Sequence, residues 1–234
     1  MANRPVRRKV TLLLHRQLNA SVEKLRAALA GYEFSSPLPA NVDHWRALLL
    51  DETEMPIVPH QVLMKDSPAP FDAVLHLACA DKASTALMSG AVTQVVDAFD
   101  SWIDRFRSVV LVSDQVAITP GDGPVQIAML LRRPRGMSHP EFMQHWYGRH
   151  ADLGEAVEGV RYRQNHIDTE ATAELKAATG IDFEEVDGLT ESYYLTTDEA
   201  YAVMTHPDVA VGAIADEKRF IDHARSQFGF YRRL

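Results

Sequence analysis

Residues 137–154 read MSHPEFMQHWYGRHADLG, and how this stretch starts, faces and recurs decides the fold. Ser138 is a helix cap, Pro140 is tolerated in a first helical turn, and Glu141, three residues after Ser138, completes a capping box. At about 100° per residue from Phe142, the side chains of Trp146, His150, Leu153 and Val157 fall within about 80° of one another. His150 is therefore expected to face a core. His145 lies five positions earlier and is expected to point elsewhere, so the two histidines do not form an i, i+4 metal pair.

Outward from this helix, residues 125–131, 160–167, 189–195 and 228–232 read as strands. Residues 170–179 read as a short helix or an ordered loop, and residues 198–204 and 209–220 as helices. The first half has strands at 10–14, 71–80 and 109–118 and helices at 21–29, 82–88 and 92–105. Residues 35–70 differ: they hold six of the twelve prolines, at 37, 39, 56, 59, 68 and 70. That density predicts mostly loop, with one helix around residues 44–50. TPGDGP at 119–124 marks a boundary.

The halves lie over each other at offsets of 115 to 118 residues. Leu13-Leu14-His15-Arg16 faces Leu130-Leu131-Arg132-Arg133, Ser21 faces Ser138, Asp72 faces Asp187, and Trp102-Ile103-Asp104 faces Phe220-Ile221-Asp222. The constant offset predicts two copies of one unit, residues 1–120 and 121–234. Each copy, in split β-α-β order, makes a four-stranded antiparallel sheet of ferredoxin-like α+β class with helices on one face. Two such sheets packed face to face close an eight-stranded barrel, with room inside for one small ligand.

Composition narrows the partners. A 46% hydrophobic and 24% charged chain is ordinary for a globular protein. A net charge of -8 with scattered Arg and Lys gives no field for a nucleic-acid backbone. The single cysteine, Cys79, excludes an intrachain disulfide and points to a reducing compartment, so a cytoplasmic protein is expected. The apolar run at 10–14 is too short for a signal segment or a membrane span. HExxH, CxxC, Walker, GxGxxG and GxSxG motifs are absent from the sequence.

The run LLRRPRGMSHPEFMQHWYGRHADL, followed by VRYRQNHI and KRFIDHARS, resembles the EthD family of the dimeric α+β barrel superfamily. The resemblance rests on Arg133 ahead of Gly136-Met137-Ser138, Glu141-Phe142, Trp146 with His150, Tyr162 with Gln164-Asn165-His166, and Phe220-Ile221-Asp222. The first half keeps only the outline, with Leu29 and Glu33 in place of Trp146 and His150. The resemblance implies a site confined to the second half, and enzymes that handle hydrophobic, often aromatic molecules without metal or organic cofactor, a histidine carrying the proton. Other superfamily members bind haem or oxidise their substrates, and the founding EthD protein accompanies an oxygenase system.

These readings combine into an expected cofactor-independent lyase. His150 would take a proton, and water, carbon dioxide or formaldehyde would leave, with Arg133 or a tyrosine steadying the oxyanion. Two alternatives stand beside it: a non-catalytic protein that binds a hydrophobic compound for an oxygenase, and a haem-dependent or cofactor-free oxygenase. His150 itself reads either as a general base or as a buried structural histidine. His145 reads either as a second catalytic group or as a solvated partner of Glu141 one turn back. Arg133 reads as an anion contact or a surface ion pair, and Asp222 as a carboxylate behind a histidine or a loop tie. Trp146, Tyr147, Tyr162, Tyr193 and His166 are candidate pocket-lining groups, each also readable as packing. His15 and His76 fall on first-half strands, where either could be a second proton carrier from the barrel interior. The expected assembly is a monomeric pseudo-dimer or a homodimer.

Overall fold

The computed structural model describes residues 4–51, 53–55 and 57–234. Eight antiparallel strands close a barrel: β1 (Val6–Leu14), β2 (Asp43–Leu49), β3 (Ala73–Cys79), β4 (Val109–Ala117), β5 (Val125–Leu131), β6 (Arg161–Ile167), β7 (Gly188–Tyr194) and β8 (Gln227–Arg233). Within the first half the order is β4-β1-β3-β2, and within the second β8-β5-β7-β6. Two seams join them. β2 pairs with β8 from Ala47↔Arg233 to Leu49↔Tyr231, and β4 pairs with β6 from Ser113↔Ile167 to Ala117↔Arg163.

β2 corrects an expectation, because residues 44–50 were expected to be helical. Asp43–Leu49 instead lies between β3 and β8. Its Arg-Ala-Leu-Leu run favours a helix locally, but both faces of the strand meet protein, so the alternation that marks a half-buried strand is hidden. Pairing along both edges overrides the propensity.

Strand parity sorts the core. On β5, Val125, Ile127, Met129 and Leu131 face the helices, while Gln126, Ala128 and Leu130 face the barrel axis. One end of the barrel interior is packed with apolar side chains, Leu13, Val74, Leu111, Leu130, Leu189 and Tyr231 among them. The rest is a buried polar layer. Lys9 Nζ donates to Glu191 Oε2 at 2.5 Å, and the same carboxylate accepts from Gln115 (3.0 Å), Asn165 (3.0 Å) and Gln126 (2.8 Å). The expected ligand space inside the barrel is therefore filled by side chains, as in other eight-stranded barrels.

Helices cover the outside: α1 (Val22–Gly31) and α3 (Thr85–Ala98) on the first sheet, and on the second α4 (His139–Met143) with α5 (Ala151–Ala156), and α7 (Thr197–Thr205) with α8 (Ile214–Glu217). The two β-to-β connections are exchanged between halves. The β2–β3 segment, with α2 (Pro59–Leu63), buries Met55, Val58 and Met64 against the second sheet's helical layer. The β6–β7 segment, with α6 (Thr169–Thr179), buries Leu175 and Ile181 against the first. The proline-rich segment thus carries first-half residues to the second half's core. Among the described residues no helix is long and apolar enough to cross a membrane.

Candidate active site

The opening helix forms as its cap predicts: Ser138 Oγ accepts from the Glu141 amide, and Glu141 Oε2 accepts from the Ser138 amide at 2.8 Å. Past Met143 the helix widens into a π-helical segment, Gln144–His150, before continuing as α5. The wider turn, with i→i+5 bonding, sets residues five apart on one face. His145 and His150 therefore converge, contrary to the 100° projection. His145 Nε2 lies 3.0 Å from Asp216 Oδ2, His150 Nδ1 3.2 Å from the same oxygen, and Arg149 Nε 3.0 Å from Oδ1. The expected His145–Glu141 pair does not form, since Glu141 is engaged by the cap.

Asp216 lies in α8, which also follows a π-helical segment, Asp208–Ala213. The next residue, Glu217, holds a second pair of imidazoles: His60 Nε2 at 3.2 Å from Oε1, and His223 Nε2 at 3.2 Å from Oε2. His60 comes from α2 and stacks on Phe228, with ring centroids 5.5 Å apart. Two consecutive carboxylates thus gather four histidines from three parts of the chain.

Burial alone would raise both carboxylates, but hydrogen bonds from His145 and His150 hold Asp216 below its ordinary range. Glu217 is likewise lowered, its burial outweighed by His60 and His223. Burial lowers His150 below 6.5, partly offset by Glu217 and Asp216, so it is neutral at pH 7. An ionised carboxylate can only accept, so the imidazole nitrogen facing it carries the proton. In His150 that nitrogen is Nδ1. Nε2 is left with a free lone pair.

A cavity of about 100 Å³ lies between the outer face of the second sheet and its helices, lined by Trp146, His150, Tyr162, Tyr194, Met204 and Phe228 among others. Tyr162 Oη accepts from Trp146 Nε1 and from Gln164 Nε2, each at 3.1 Å, which fixes both rings. Two glycines make room for them. A Cβ at Gly188 would sit 2.4 Å from Trp146 Cζ3, and one at Gly154 would sit 2.8 Å from Tyr162 Cδ1. At offset 115 the first-half counterpart of Gly188 is Ala73, and there the tryptophan is replaced by Leu29.

Of the residues singled out from sequence, the structure brings His150, Trp146 and Tyr162 to this cavity. His145 stands behind it on Asp216. Arg133 is paired with Asp187 and donates to the Met137 carbonyl at 2.9 Å, which anchors the start of the helix. Asp222 sits 3.7 Å from Arg225 and, among the described residues, forms no hydrogen bond or ion pair with a histidine; the carboxylate behind His150 is Asp216. His166 bonds to Gln164 at 3.1 Å beside the Trp146 and Tyr147 rings, and burial pushes it down to about 4. Tyr147 lies under the Arg4 guanidinium. Tyr193 and His76 are inside the barrel, on its polar layer. His15 is at the barrel's apolar end, in a separate cleft with Arg132 and Phe106.

Asp216, Glu217, His60 and His223 were missed. A signal for the carboxylates existed: at offset 118 the first-half counterparts of Asp216-Glu217 are Ala98-Phe99. The comparison that singled out Trp146 and His150 also singles out this acidic pair.

A sequence profile of the EthD domain matches residues 134–224. The match spans 91 of the chain's 234 residues. It contains the capped helix, Asp216, Glu217 and His223, whereas His60 lies outside it. A search of curated proteins finds no match to the chain. Solved structures similar over nearly the whole chain include a candidate monooxygenase from Fusobacterium nucleatum, with a TM-score of 0.54, 9% identity and coverage of 100% of this chain and 94% of that one. A candidate monooxygenase from Lactobacillus acidophilus gives a TM-score of 0.51 at 11% identity, covering 98% and 94%. A candidate chlorite dismutase gives 0.51 at 8% identity, covering 98% and 95%. Identities this low establish the α+β barrel fold. The names nevertheless overturn the expected cofactor-independent lyase, since these proteins of the same architecture are named monooxygenases and a chlorite dismutase rather than lyases.

Haem can be tested against this cavity directly. An imidazole backed by a carboxylate, as His150 is by Asp216, suits an axial ligand. Size and charge do not. A cavity of about 100 Å³ is well below the roughly 300–1,000 Å³ of sites for drug-sized ligands. Among the described residues lining it there is no Arg or Lys to meet a propionate. The residues present do not fit the macrocycle.

Proposed function

We propose that the chain is an oxygenase for a small hydroxyaromatic compound, with His150 as general base and dioxygen as oxidant. The observation that carries this is the bare Nε2 of a neutral, carboxylate-held imidazole on the wall of a mostly apolar cavity. The names of the similar structures support the oxygenase class. The size caps the substrate at one ring, because even a dry apolar cavity of about 150 Å³, larger than this one, is filled by benzene.

His150 takes the phenol proton, and the phenolate gives an electron to dioxygen. The radical pair joins at the ring carbon para to the hydroxyl, and the imidazolium protonates the resulting peroxide. Loss of the para ring proton then forms a second carbonyl as the O–O bond breaks, and hydroxide leaves as water. Phenol plus dioxygen gives quinone plus water, so the oxidant is used completely and no outside reductant is needed. Tyr162 and Trp146 pack the ring, and the buried imidazole excludes competing solvent protons.

The same reading treats residues 1–120 and 121–234 as two copies of one unit, supported by the matching strand orders and by the exchanged connections. The first copy would then serve the barrel and lend α2 to the site, and one chain would suffice for the fold. The test is turnover on a panel of para-unsubstituted phenols with and without dioxygen. Quinone formation in air and none under nitrogen is expected. Product of any kind under nitrogen, or no product in air across the panel, overturns the proposal.

A further inference from the structure

The mechanism above removes two protons from opposite ends of one ring, and His150 can stand at one end only. The cavity wall holds another imidazole in the same electrostatic arrangement. His60 is 3% exposed, lines the cavity, and has Nε2 held by Glu217 at 3.2 Å. An ionised Glu217 accepts only, so a neutral His60 carries its proton on Nε2 and has Nδ1 as its acceptor. Among the described residues Nδ1 is buried and has no hydrogen-bond partner. A buried nitrogen without a partner is costly and is retained where something else pairs with it.

The position is as unusual as the chemistry. His60 belongs to the proline-rich β2–β3 connection, which crosses from the first half to pack on the second. Val58 and Met64 flank it as buried anchors, and its ring stacks on Phe228 of β8. Asp216 and Glu217 are consecutive residues of one helix, so their side chains diverge by about 100°. The imidazoles they hold therefore come to the cavity from different walls. Glu217 itself is kept in place from behind by His223.

Resting on the oxygenase reading, we propose that His60 is a second catalytic base of this cavity, paired with Glu217 as His150 is with Asp216, and that it removes the ring proton when the peroxide collapses to the quinone. The site is then completed by a segment outside the EthD match, and substrates are phenols whose reacting carbon carries a hydrogen. A phenol blocked at that carbon binds and does not turn over.

The experiment compares wild type with His60→Gln, using phenol and phenol deuterated at the para carbon, and follows dioxygen uptake and quinone separately. The expected result is a fall of about 10²-fold in quinone formation with KM nearly unchanged. Deuteration should slow the variant more than the wild type, because ring-proton loss has become limiting. Wild-type rates in His60→Gln, or an unchanged isotope effect, overturn the proposal. A second measurement needs neither turnover nor the variant. In wild-type protein labelled with nitrogen-15 in its histidines, para-cresol should shift the His60 Nδ1 resonance while Nε2 stays protonated. An Nδ1 that is protonated, or does not respond, also overturns it. Failure of the oxygenase reading would be seen separately, as wild type that consumes no dioxygen.

Discussion

His150→Ala is expected to lower kcat by about 10²–10⁴-fold while KM changes little, the range for losing a positioned general base. Such a pattern identifies a group acting in the transition state rather than in uniform binding. The wild-type pH profile follows from the same residue. Burial disfavours the imidazolium, so the folded pKa lies below 6.5. Activity should be flat near neutrality and fall as pH drops through that depressed value, because the base is then protonated. Asp216→Asn removes the anion that partly restores the imidazolium, so its acid limb moves to still lower pH. The amide also no longer dictates which ring nitrogen carries the proton, so its plateau falls. An alanine variant that folds, judged by circular dichroism, and keeps full turnover removes His150 from the mechanism.

The second large effect is on stability. Glu191→Leu leaves Lys9 with no counter-charge in a place where both side chains are 0% exposed. Breaking a buried pair from one side costs about 3–5 kcal/mol, against a total stability of about 5–15 kcal/mol for a typical domain. For a chain of this size that corresponds to a fall in Tm of roughly 6–20 °C. Lys9 limits the loss. Burial already lowers its pKa to about 8 against the raising effect of Glu191, so without the carboxylate it can shed its proton near neutral pH. The double variant Lys9→Met with Glu191→Leu removes the unpaired ammonium and should recover that part of the loss, while the Gln115, Gln126 and Asn165 amides that also donate to Glu191 lose this acceptor in both variants. Scanning calorimetry decides this. A single variant as stable as the double variant contradicts the account of the polar layer.

Much of this architecture was readable in the chain because its decisive signals are local. Ser138, Pro140 and Glu141 form the cap their spacing predicts, and strands 125–131 and 109–118 appear where the valine and leucine runs place them. β2 was misread because its two neighbours, not its own sequence, make it a strand. The site was legible in part. Trp146, His150 and Tyr162 stand on elements whose faces follow from periodicity, and they reach the cavity. The partners of His150 were hidden for two physical reasons. A π-helical turn changes the angular period by which His145 was excluded, and sequence shows where such a turn begins only weakly. Asp216 meets His150 from 66 residues away and His60 meets Glu217 from 157, distances no spacing rule spans.

The same hidden contacts shift the chemistry. With the barrel interior filled and the cavity placed between sheet and helices, His15, His76 and Tyr193 become parts of the scaffold, and Arg133 becomes the anchor of the helix start. What faces the cavity is small, mostly apolar and supplied with two carboxylate-held imidazoles. That arrangement suits proton removal from a single ring and leaves no room for a macrocycle.

The most direct test is a crystal structure of the protein soaked with para-cresol, whose blocked para carbon prevents turnover to a quinone. The account predicts the ring in the cavity against Trp146 and Tyr162, with its hydroxyl about 2.6–3.2 Å from His150 Nε2. A ring bound instead in the cleft beside His15 and Arg132, or a hydroxyl turned away from both His150 and His60, contradicts it.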